Sequence, residues 1–355
     1  MSTVTTFPVE QVGQSRVAAT DFENLVFGTV FSDHMFVSNY NGSEWADGRI
    51  MPFGKIQVSP ALVSLHYGQA IFEGLKAYRN ASGDILMFRP QANARRMNRS
   101  AERMCMPSIP EDYFVDALKE LVRLDAGWIP SKPGYSLYIR PVMFATDDML
   151  GVKPSKTYGF YIITCPVGAF FNQPLKLKIE TKFSRAADGG VGYAKAAGNY
   201  GGSMYPQKVA QDEGFHQVIW TDSKEHKYVE EAGAMNVAFV IGDKLVTPNT
   251  TTGTILEGIT RDSVLTLARD MGVTVEERRV EVKEVLDAIA NKQLREAFGI
   301  GTAATIAPIH TIGHEGKLYD LTANMQDDLS KQIAQQLDQI RKGEIEDKYN
   351  WVVRI

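Results

Sequence analysis

A lysine lies in an unusual run of small residues near the middle of the chain. Residues 189–202 have the sequence GGVGYAKAAGNYGG, so Lys195 is surrounded by glycines, alanines and two tyrosines. Lysine normally lies in solvated surroundings among other charged groups. A lysine that is taken out of water loses its proton more readily and becomes an amine nucleophile. The run therefore predicts a reactive amine, and the alternative is a surface lysine on a glycine-rich loop.

Three other features could bind charged groups. Residues 230–236, EEAGAMN, place Glu231 at the edge of a predicted strand beside a tight turn, and the alternative is a solvated loop acid. Residues 253–261, GTILEGITR, precede a predicted helix, whose N-terminus would point its amides at an anion. Simple helix capping by Thr260 is the alternative. Arg96, the second of two adjacent arginines, is a candidate phosphate clamp or else part of a solvated helix face.

These groups complement one another chemically. Together they supply an amine nucleophile, a carboxylate, a tyrosine phenol and two anion sites. Those are the groups with which a protein holds pyridoxal 5'-phosphate. Each signal is weak alone, but their combination predicts a site for this cofactor.

The apolar pattern predicts the elements that position these residues. Strands are predicted at residues 85–88, 138–142, 160–165, 217–220 and 236–241. Helices are predicted from Pro90, after Pro110, and over residues 264–271, 282–289 and 325–340. Strands and helices mix in both halves, which favours α/β or α+β domains. We predict a small N-terminal α/β domain at residues 1–166, an interdomain linker at residues 167–177, and a large C-terminal cofactor-binding domain at residues 178–355.

Composition excludes several functions. The 355 residues include 38 Lys+Arg and 42 Asp+Glu, and the net charge of −4 gives no reason to expect nucleic acid or an anionic membrane as a partner. Two cysteines, Cys105 and Cys165, exclude a disulfide framework and a four-cysteine zinc site. No apolar run approaches the roughly 20 residues of a membrane-spanning helix. The N-terminus lacks the pattern of a signal peptide, so a cytoplasmic protein is expected.

Common catalytic motifs are absent from the sequence. There is no GxxxxGK[ST], HExxH or GxSxG. Gly313 lies between His310 and His314, which predicts a turn rather than a metal site, and no metal is expected. Residues 299–304, GIGTAA, formally fit GxGxx[GA], but Pro308 follows too soon for a dinucleotide-binding helix. A Gly-Thr-Ala turn that offers amides to an anion remains a weak signal.

Ten ordered segments resemble the branched-chain-amino-acid aminotransferases, which belong to the class IV aminotransferase family of fold type IV pyridoxal-phosphate enzymes. The similarity extends from residue 25 to near the C-terminus and is closer to the longer, mammalian-like branch than to the short bacterial one. The segments are VFGTVFSDHM (26–35), SLHYGQAIFEGLKAY (64–78), FRPQANARRM (88–97), SLYIRPV (136–142), LGV (150–152), CPVGAFF (165–171), GGVGYAKAAGNYGG (189–202), EAGAMN (231–236), GTILEGITR (253–261) and FGIGTAA (298–304). The resemblance implies a two-domain fold like that of D-amino-acid aminotransferase, with the active site between the domains.

The resemblance implies roles for the residues around the cofactor. Lys195 would form the internal aldimine and then act as the general base. Glu231 would pair with the pyridine nitrogen, and Tyr200 would hydrogen-bond the ring oxygen next to the aldimine. The phosphate would be bound by Arg96, Ile259, Thr260 and Thr302, with Arg185 flanking the phosphate end.

The resemblance also implies a substrate pocket. Phe27, Tyr67, Phe72 and Tyr138 would wall it, and Val152 would enter it from a partner subunit. The amide of Ala303 would take the substrate carboxylate. Arg140 would meet the side-chain carboxylate of glutamate, unless it pairs with a protein acid. The implied activity transfers the amino group of leucine, isoleucine or valine to 2-oxoglutarate, giving branched 2-oxo acids and L-glutamate, in a homodimer.

The sequence departs from the family pattern in two places. Ala234 stands where the mammalian-like branch has a threonine that helps to hold substrate and cofactor. Ala304 and Ala307 stand where that branch has a CxxC redox pair, so a thiol switch of that kind is not expected.

Two alternative functions remain open at this point. Within the fold, a D-amino-acid aminotransferase or an aminodeoxychorismate lyase is possible, although the longer N-terminal arm and the three residues Phe27, Tyr67 and Phe72 favour the branched-chain activity. A metabolite-binding protein without enzymatic activity would hold no cofactor. The presence of Lys195 and Glu231 argues against that alternative.

Overall fold

The computed structural model describes residues 6–168, 174–323, 325 and 328–355. The chain divides into two compact units. Unit 1 comprises Met1–Phe170, Ala194–Gly198 and Gln339–Ile355, and unit 2 comprises Phe171–Tyr193 and Asn199–Asp338. Among the helices in the described part of the chain, none is long and apolar enough to cross a membrane.

The secondary structure alternates between strands and helices along the chain. The strands are β1 (His34–Tyr40), β2 (Trp45–Pro52), β3 (Ala70–Phe72), β4 (Leu75–Arg79), β5 (Ile85–Phe88), β6 (Ser136–Ala145), β7 (Tyr158–Val167), β8 (Leu175–Ile179), β9 (Gln217–Thr221), β10 (Tyr228–Ala232), β11 (Asn236–Ile241), β12 (Lys244–Pro248), β13 (Thr274–Arg278), β14 (Val280–Glu281), β15 (Leu294–Gly301), β16 (Thr305–His314), β17 (Lys317–Asp320) and β18 (Val352–Arg354). The helices are α1 (Val63–Tyr67), α2 (Pro90–Arg103), α3 (Glu111–Leu124), α4 (Ala197–Asp212), α5 (Ile259–Asp270), α6 (Val282–Ala290) and α7 (Asp328–Arg341).

Unit 1 is built on an antiparallel sheet. Among the described residues its strands follow the order β18-β5-β4-β6-β7-β1-β2, and β3 also pairs with β6. Helix α2 begins at Pro90, as predicted, because proline is well tolerated at the first helical position. The helix buries Met97 and Ala101, and the next helix, α3, buries Phe114 and Leu118 in the same core. These two amphipathic helices confirm the predictions from periodicity.

Unit 2 is built on a mixed sheet. In the described part of the chain its strands follow the order β13-β12-β11-β15-β16-β8-β9-β10-β14, and β17 pairs with β16. The pairs β12–β13, β16–β8 and β8–β9 are parallel, whereas the other pairs are antiparallel. Helices α5 and α6 lie where the 3.6-residue pattern predicted them. The observed mixture of helices and sheets agrees with the predicted α/β and α+β class.

The predicted linker at residues 167–177 is wrong at both of its described ends. Val167 is the last residue of β7, and Leu175 is the first residue of β8. Leu175, Leu177 and Ile179 are buried and alternate with half-buried lysines, which is a strand pattern of period two. Gly168, Asn172 and Pro174 precede this strand in the sequence, and they led to the linker prediction because these residue types are common in loops. Residues 169–173 lie outside the described part of the chain.

The predicted domain boundaries also require correction. Residues Gln339–Ile355 and Ala194–Gly198 cluster with unit 1 rather than with the C-terminal domain, so the N-terminal domain is not the small one. The physical reason is a pairing between distant segments, in which Val352 faces Phe88 across β18 and β5. Local sequence patterns do not report such long-range pairing.

Gly299 and Gly301, which formally fit a dinucleotide-binding motif, leave space for the side chain of Met235. Strands β15 and β16 are antiparallel, and residues 302–304 form the turn between them, so no helix follows. A Cβ on Gly299 would lie 2.7 Å from Met235, and one on Gly301 would lie 3.1 Å from it, so both glycines make room for that side chain. The predicted turn around His310 and His314 is wrong, because both residues lie within β16.

Candidate active site

The backbone of Lys195 is fixed on both sides within unit 1. Its amide donates to Ser100 Oγ at 2.9 Å, and its carbonyl accepts from the Phe72 amide at 3.1 Å. The next residue, Ala196, pairs with Ile71 and is buried. Lys195 is itself only half-buried, and its Nζ lies 4.8 Å from the centre of the Phe72 ring. The lysine therefore sits on a tightly held segment rather than on a solvated loop.

A buried ion pair lies beside this lysine. Arg96 donates through Nε to Glu73 Oε1 and through Nη2 to Glu73 Oε2, both at 2.8 Å. Glu73 also accepts from Asn93 at 2.7 Å and has no exposed surface. Burial alone would raise the pKa of Glu73, but Arg96, Lys195 and Asn93 outweigh it and hold the pKa below its usual value. Arg96 is thus buried, and its interpretation as part of a solvated helix face is wrong.

A closed series of contacts links Lys195, Ser100, Arg96, Glu73 and Phe72. Ser100, one helical turn beyond Arg96, donates to the Arg96 carbonyl at 3.0 Å and accepts from the Lys195 amide. The Lys195 carbonyl in turn accepts from Phe72, which precedes Glu73 in the chain. Glu73 was missed by the sequence analysis. The sequence feature that could have identified Glu73 is that it is the single acidic residue in the apolar segment AIFEGL, residues 70–75.

Four of the predicted substrate residues come together in unit 1. The guanidinium carbon of Arg140 lies 4.5 Å from the Phe72 ring centre and 5.2 Å from that of Tyr138. Arg140 Nη2 donates to the Tyr138 hydroxyl at 2.9 Å. Phe27 packs edge-on against Tyr138, with ring centres 5.0 Å apart. Within the described residues Arg140 forms no ion pair, and its buried Nε has no hydrogen-bond partner there. It therefore does not pair with a protein acid in this part of the chain.

The other two predicted wall residues, Tyr67 and Val152, have exposed side chains. Tyr67 is exposed, and its hydroxyl donates to the Leu150 carbonyl at 2.6 Å. Val152 is 84% exposed. The prediction that Val152 enters a partner's pocket stays a prediction.

In unit 2 the predicted acid is held by an arginine. Glu231 lies in β10, beside a tight turn as predicted, and its Oε2 is 3.1 Å from Arg185 Nε. Its Oε1 accepts from the Leu256 amide at 2.7 Å. Arg185 also donates to the carbonyls of Gly192 and Thr254. Glu231 is buried, so the interpretation as a solvated loop acid is wrong.

Arg185 has a partner that the sequence did not predict, and its place at the phosphate end stays a prediction. The resemblance implied that it flanks the phosphate end of the cofactor. The structure places its guanidinium against the carboxylate of Glu231, the residue predicted at the pyridine nitrogen. Its bonds to backbone carbonyls of two loops fix that position. Sequence alone gives no indication of which acid an arginine will meet.

A second buried acid precedes Glu231 and was missed by the sequence analysis. The pairing of β10 with β9 shifts register between Val229 and Ala232, the stretch that holds both acids. Glu230 Oε1 accepts from Thr254 Oγ1 at 2.6 Å, and its Oε2 has no partner among the described residues. Burial raises the pKa of Glu230, although Thr254 and Arg185 oppose this. Thr254 therefore contacts both Glu230 and Arg185.

The predicted anion site lies at the N-terminus of α5. The helix begins at Ile259 after Gly258, and no side chain caps it. Capping by Thr260 is therefore not observed, and Thr260 is buried. The first-turn amides of a helix point toward its N-terminal end, where an anion is stabilised. The other predicted residues of unit 2 lie on different elements: Tyr200 in α4, and Thr302 and Ala303 in the turn before β16.

The alanines that depart from the family pattern sit in ordinary packing positions. Ala234 lies in the turn between β10 and β11, Ala304 packs against the core of unit 2, and Ala307 is fully buried in it. Cys105 is exposed and Cys165 is buried. Burial raises the pKa of the Cys165 thiol.

Comparison with known proteins identifies the family. The amino-transferase class IV family model matches residues 70–312. Branched-chain-amino-acid transaminase 1 of Bacillus subtilis (strain 168) is 43% identical over 94% of this chain and 95% of its own. The branched-chain aminotransferase of the archaeon Thermoproteus uzoniensis, solved with norvaline, has a TM-score of 0.76 at 25% identity and covers 90% of this chain and 99% of its own. The holo, PLP-form enzyme of Thermobaculum terrenum has a TM-score of 0.74 at 26% identity, covering 90% and 97%.

The chain therefore belongs to the class IV aminotransferase family. The predicted family is confirmed, and the fold that it implies is confirmed by the likeness to the solved structures.

The buried ion pair yields a stability prediction. Glu73→Gln leaves the guanidinium of Arg96 buried without its counter-charge, so the free energy of unfolding at pH 7 should fall by about 3–5 kcal/mol. Because the fold lowers the pKa of Glu73, its stabilisation is present above the unfolded-state pKa and is lost as the pH falls through the folded-state pKa. Urea denaturation across this acidic range should therefore show the difference between the variant and the parent shrinking.

Glu23→Gln is the matched control. Glu23 pairs with Lys132 at the surface, where both side chains are well exposed, so its loss should change stability far less. Equal effects of the two substitutions would show that the Glu73 pair does not stabilise unit 1.

The cysteines yield a second prediction. With alanine at positions 304 and 307 and with Cys165 buried, mild peroxide should leave the aminotransferase activity unchanged. Cys105→Ser should respond in the same way, although Cys105 is exposed. Inactivation of the parent that dithiothreitol reverses would contradict this expectation.

Proposed function

We propose that the protein is a pyridoxal-phosphate-dependent branched-chain-amino-acid aminotransferase that transfers the amino group of leucine, isoleucine or valine to 2-oxoglutarate. The observation that carries this proposal is Lys195, whose backbone is locked beside Phe72 and the Glu73–Arg96 pair. The similarity to branched-chain aminotransferases over nearly the whole chain supports it.

The donor groups fit pyridoxal phosphate chemically. Its aldehyde requires an amine, which Lys195 supplies. Its phosphate requires cationic or amide donors, which Arg96 and the first turn of α5, at Ile259 and Thr260, supply. Its ring nitrogen requires a carboxylate, which Glu231 supplies. When bound, the cofactor is an electron sink for the charge that develops at the substrate α-carbon.

Two further residues complete the cofactor set. Thr302, in the turn before β16, would add a hydroxyl to the phosphate site, and Tyr200 in α4 would donate to the ring oxygen. For Arg185 we propose a different role from the one that the resemblance implied. By pairing with Glu231 it would hold in place the carboxylate that we propose for the ring nitrogen.

Lys195 performs the proton transfers. Nζ of Lys195 would take the proton from the substrate α-carbon and later return a proton as general acid, while the bound cofactor would supply the electron sink. The bonds to Ser100 and Phe72 keep the lysine backbone in place, so that only the side chain has to move.

Substrate selectivity follows from the cluster around Tyr138. Phe27, Phe72 and Tyr138 offer apolar surface to aliphatic side chains, and each buried methylene contributes ~0.8 kcal/mol. Glutamate brings a carboxylate into the same pocket, where it is costly without a partner. Arg140 can meet that carboxylate with two hydrogen bonds. The amide of Ala303 would take the α-carboxylate, which both kinds of substrate share.

We also propose a cytoplasmic homodimer in which the loop around Val152 completes the partner's pocket. The support is the exposure of Leu150 and Val152, which is unusual for apolar side chains that neighbour a candidate pocket residue such as Tyr67.

The position of the cofactor can be tested chemically. After incubation with pyridoxal phosphate, reduction with borohydride and peptide mapping should find the pyridoxyl label on Lys195. Lys76, a buried lysine of the same unit, is the natural comparison and should carry none. A label on any other lysine, or a protein that stays colourless, would refute the assignment.

The role of Arg140 can be tested with its two substrates. Arg140→Gln should weaken the glutamate half-reaction by ~2–5 kcal/mol, the usual cost of removing one partner of a buried charge pair. The leucine half-reaction should change much less, because leucine offers no carboxylate to this arginine. Single-turnover kinetics on protein confirmed to hold the cofactor measure both. Equal losses would mean that Arg140 supports the fold rather than substrate recognition.

A further inference from the structure

Gly74 lies at a gap in a row of side chains on the unit 1 sheet. Phe72 pairs with Val142 and Leu75 pairs with Ile139, so counting along the strands places Gly74 opposite Arg140. Residues that face each other across an antiparallel pair point to the same side of the sheet. On the side that carries Arg140, the position of Gly74 therefore holds no side chain.

The hydroxyl of Tyr138 fills this gap. A Cβ on Gly74 would lie 2.1 Å from Tyr138 Oη, which is closer than real Cβ contacts, and 3.0 Å from its Cζ, which is among the tightest of them. Gly74 is not among the residues with positive φ, so backbone freedom does not explain the glycine. Glycine within a sheet often marks the close approach of another group. Here that group is the phenol of Tyr138.

The phenol in this gap orients Arg140. The hydroxyl accepts from Arg140 Nη2 at 2.9 Å, and the rings of Phe72 and Tyr138 flank the guanidinium. Its Nε is buried and has no partner among the described residues. The guanidinium is thus positioned by neutral groups, and its charge is not compensated by an acid in the described part of the chain.

We propose that Gly74 is a positioning residue that sets selectivity for the dicarboxylate substrate. The missing side chain lets the hydroxyl of Tyr138 close over the backbone, where it holds Arg140 in the orientation that receives the side-chain carboxylate of glutamate. A side chain at position 74 displaces the phenol and leaves the arginine unoriented. This inference rests on the proposed function, since it requires that Arg140 receive that carboxylate.

The other contacts of Gly74 are made by its backbone. Its amide donates to Glu73 Oε2 at 3.1 Å, and its carbonyl accepts from Asn93 at 3.3 Å. An alanine retains both groups. Gly74→Ala therefore tests the space above the glycine rather than these hydrogen bonds.

The experiment compares Gly74→Ala, Tyr138→Phe and the double variant, each as holoenzyme with its cofactor content and thermal midpoint measured. Gly54→Ala is the matched control, because a Cβ there meets only the Pro52 carbonyl at 4.0 Å. Single-turnover rates are measured with L-glutamate and L-leucine. Inhibition constants are measured with glutarate and 4-methylpentanoate, which bind without reacting.

The predicted pattern is selective and non-additive. Tyr138→Phe slows the glutamate half-reaction about tenfold more than the leucine half-reaction, as expected for losing one hydrogen bond to a charged group. Gly74→Ala slows glutamate by at least about tenfold and weakens glutarate but not 4-methylpentanoate. In the double variant the contact with the hydroxyl is gone and only the 3.0 Å approach to the ring remains, so its loss should be smaller than the sum of the two single losses. If Gly74→Ala does not fold, the double variant is compared with Tyr138→Phe, and a further glutamate-specific loss of about tenfold or more would refute the proposal.

Two outcomes would overturn the proposal, and they are distinguishable. Equal losses with both amino acids in Gly74→Ala, or additive losses in the double variant, would refute it while Arg140→Gln remains selective for glutamate. Equal losses in Arg140→Gln would instead refute the role of Arg140 in the proposed function, and with it the basis of the role of Gly74.

Discussion

The arrangement of unit 1 depends on one carboxylate that has no exposed surface. Placing Glu73 in the interior costs several kcal/mol unless its charge is matched, and Arg96 and Asn93 match it through short hydrogen bonds. This requirement fixes helix α2 against strand β3. Because the same helix carries Ser100 and the same strand carries Phe72, both groups that hold the Lys195 backbone are positioned by the ion pair. The backbone of Lys195, the nucleophile that we propose, is therefore held by residues that this ion pair positions.

Unit 2 also contains a buried acid that needs polar partners, Glu231. Its partners include Arg185, the Leu256 amide and the side-chain amide of Asn236. Arg185, which provides the charge, is itself fixed by the carbonyls of Gly192 and Thr254. We propose different tasks for the two buried acids: Glu73 holds the frame of unit 1, and Glu231 binds the ring nitrogen of the cofactor.

The parts of the structure that were predictable from sequence are those set by local patterns. Helix α2 begins at Pro90, and the residues of β11 were predicted without error. The errors concern contacts between distant segments, such as the pairing of β18 with β5. Likewise, the motifs located Lys195 and Glu231, but no spacing rule links Glu73 to Arg96. Whether two such residues meet depends on how a strand and a helix are aligned in the fold. The sequence pattern does not determine that alignment.

The most direct test of this account is the visible spectrum of the cofactor-loaded protein during one cycle. The account predicts that L-leucine converts the yellow form to the colourless aminated form, and that 2-oxoglutarate then restores the yellow form, while D-alanine changes nothing. A spectrum that is unaffected by L-leucine, or that responds instead to D-alanine, would contradict it.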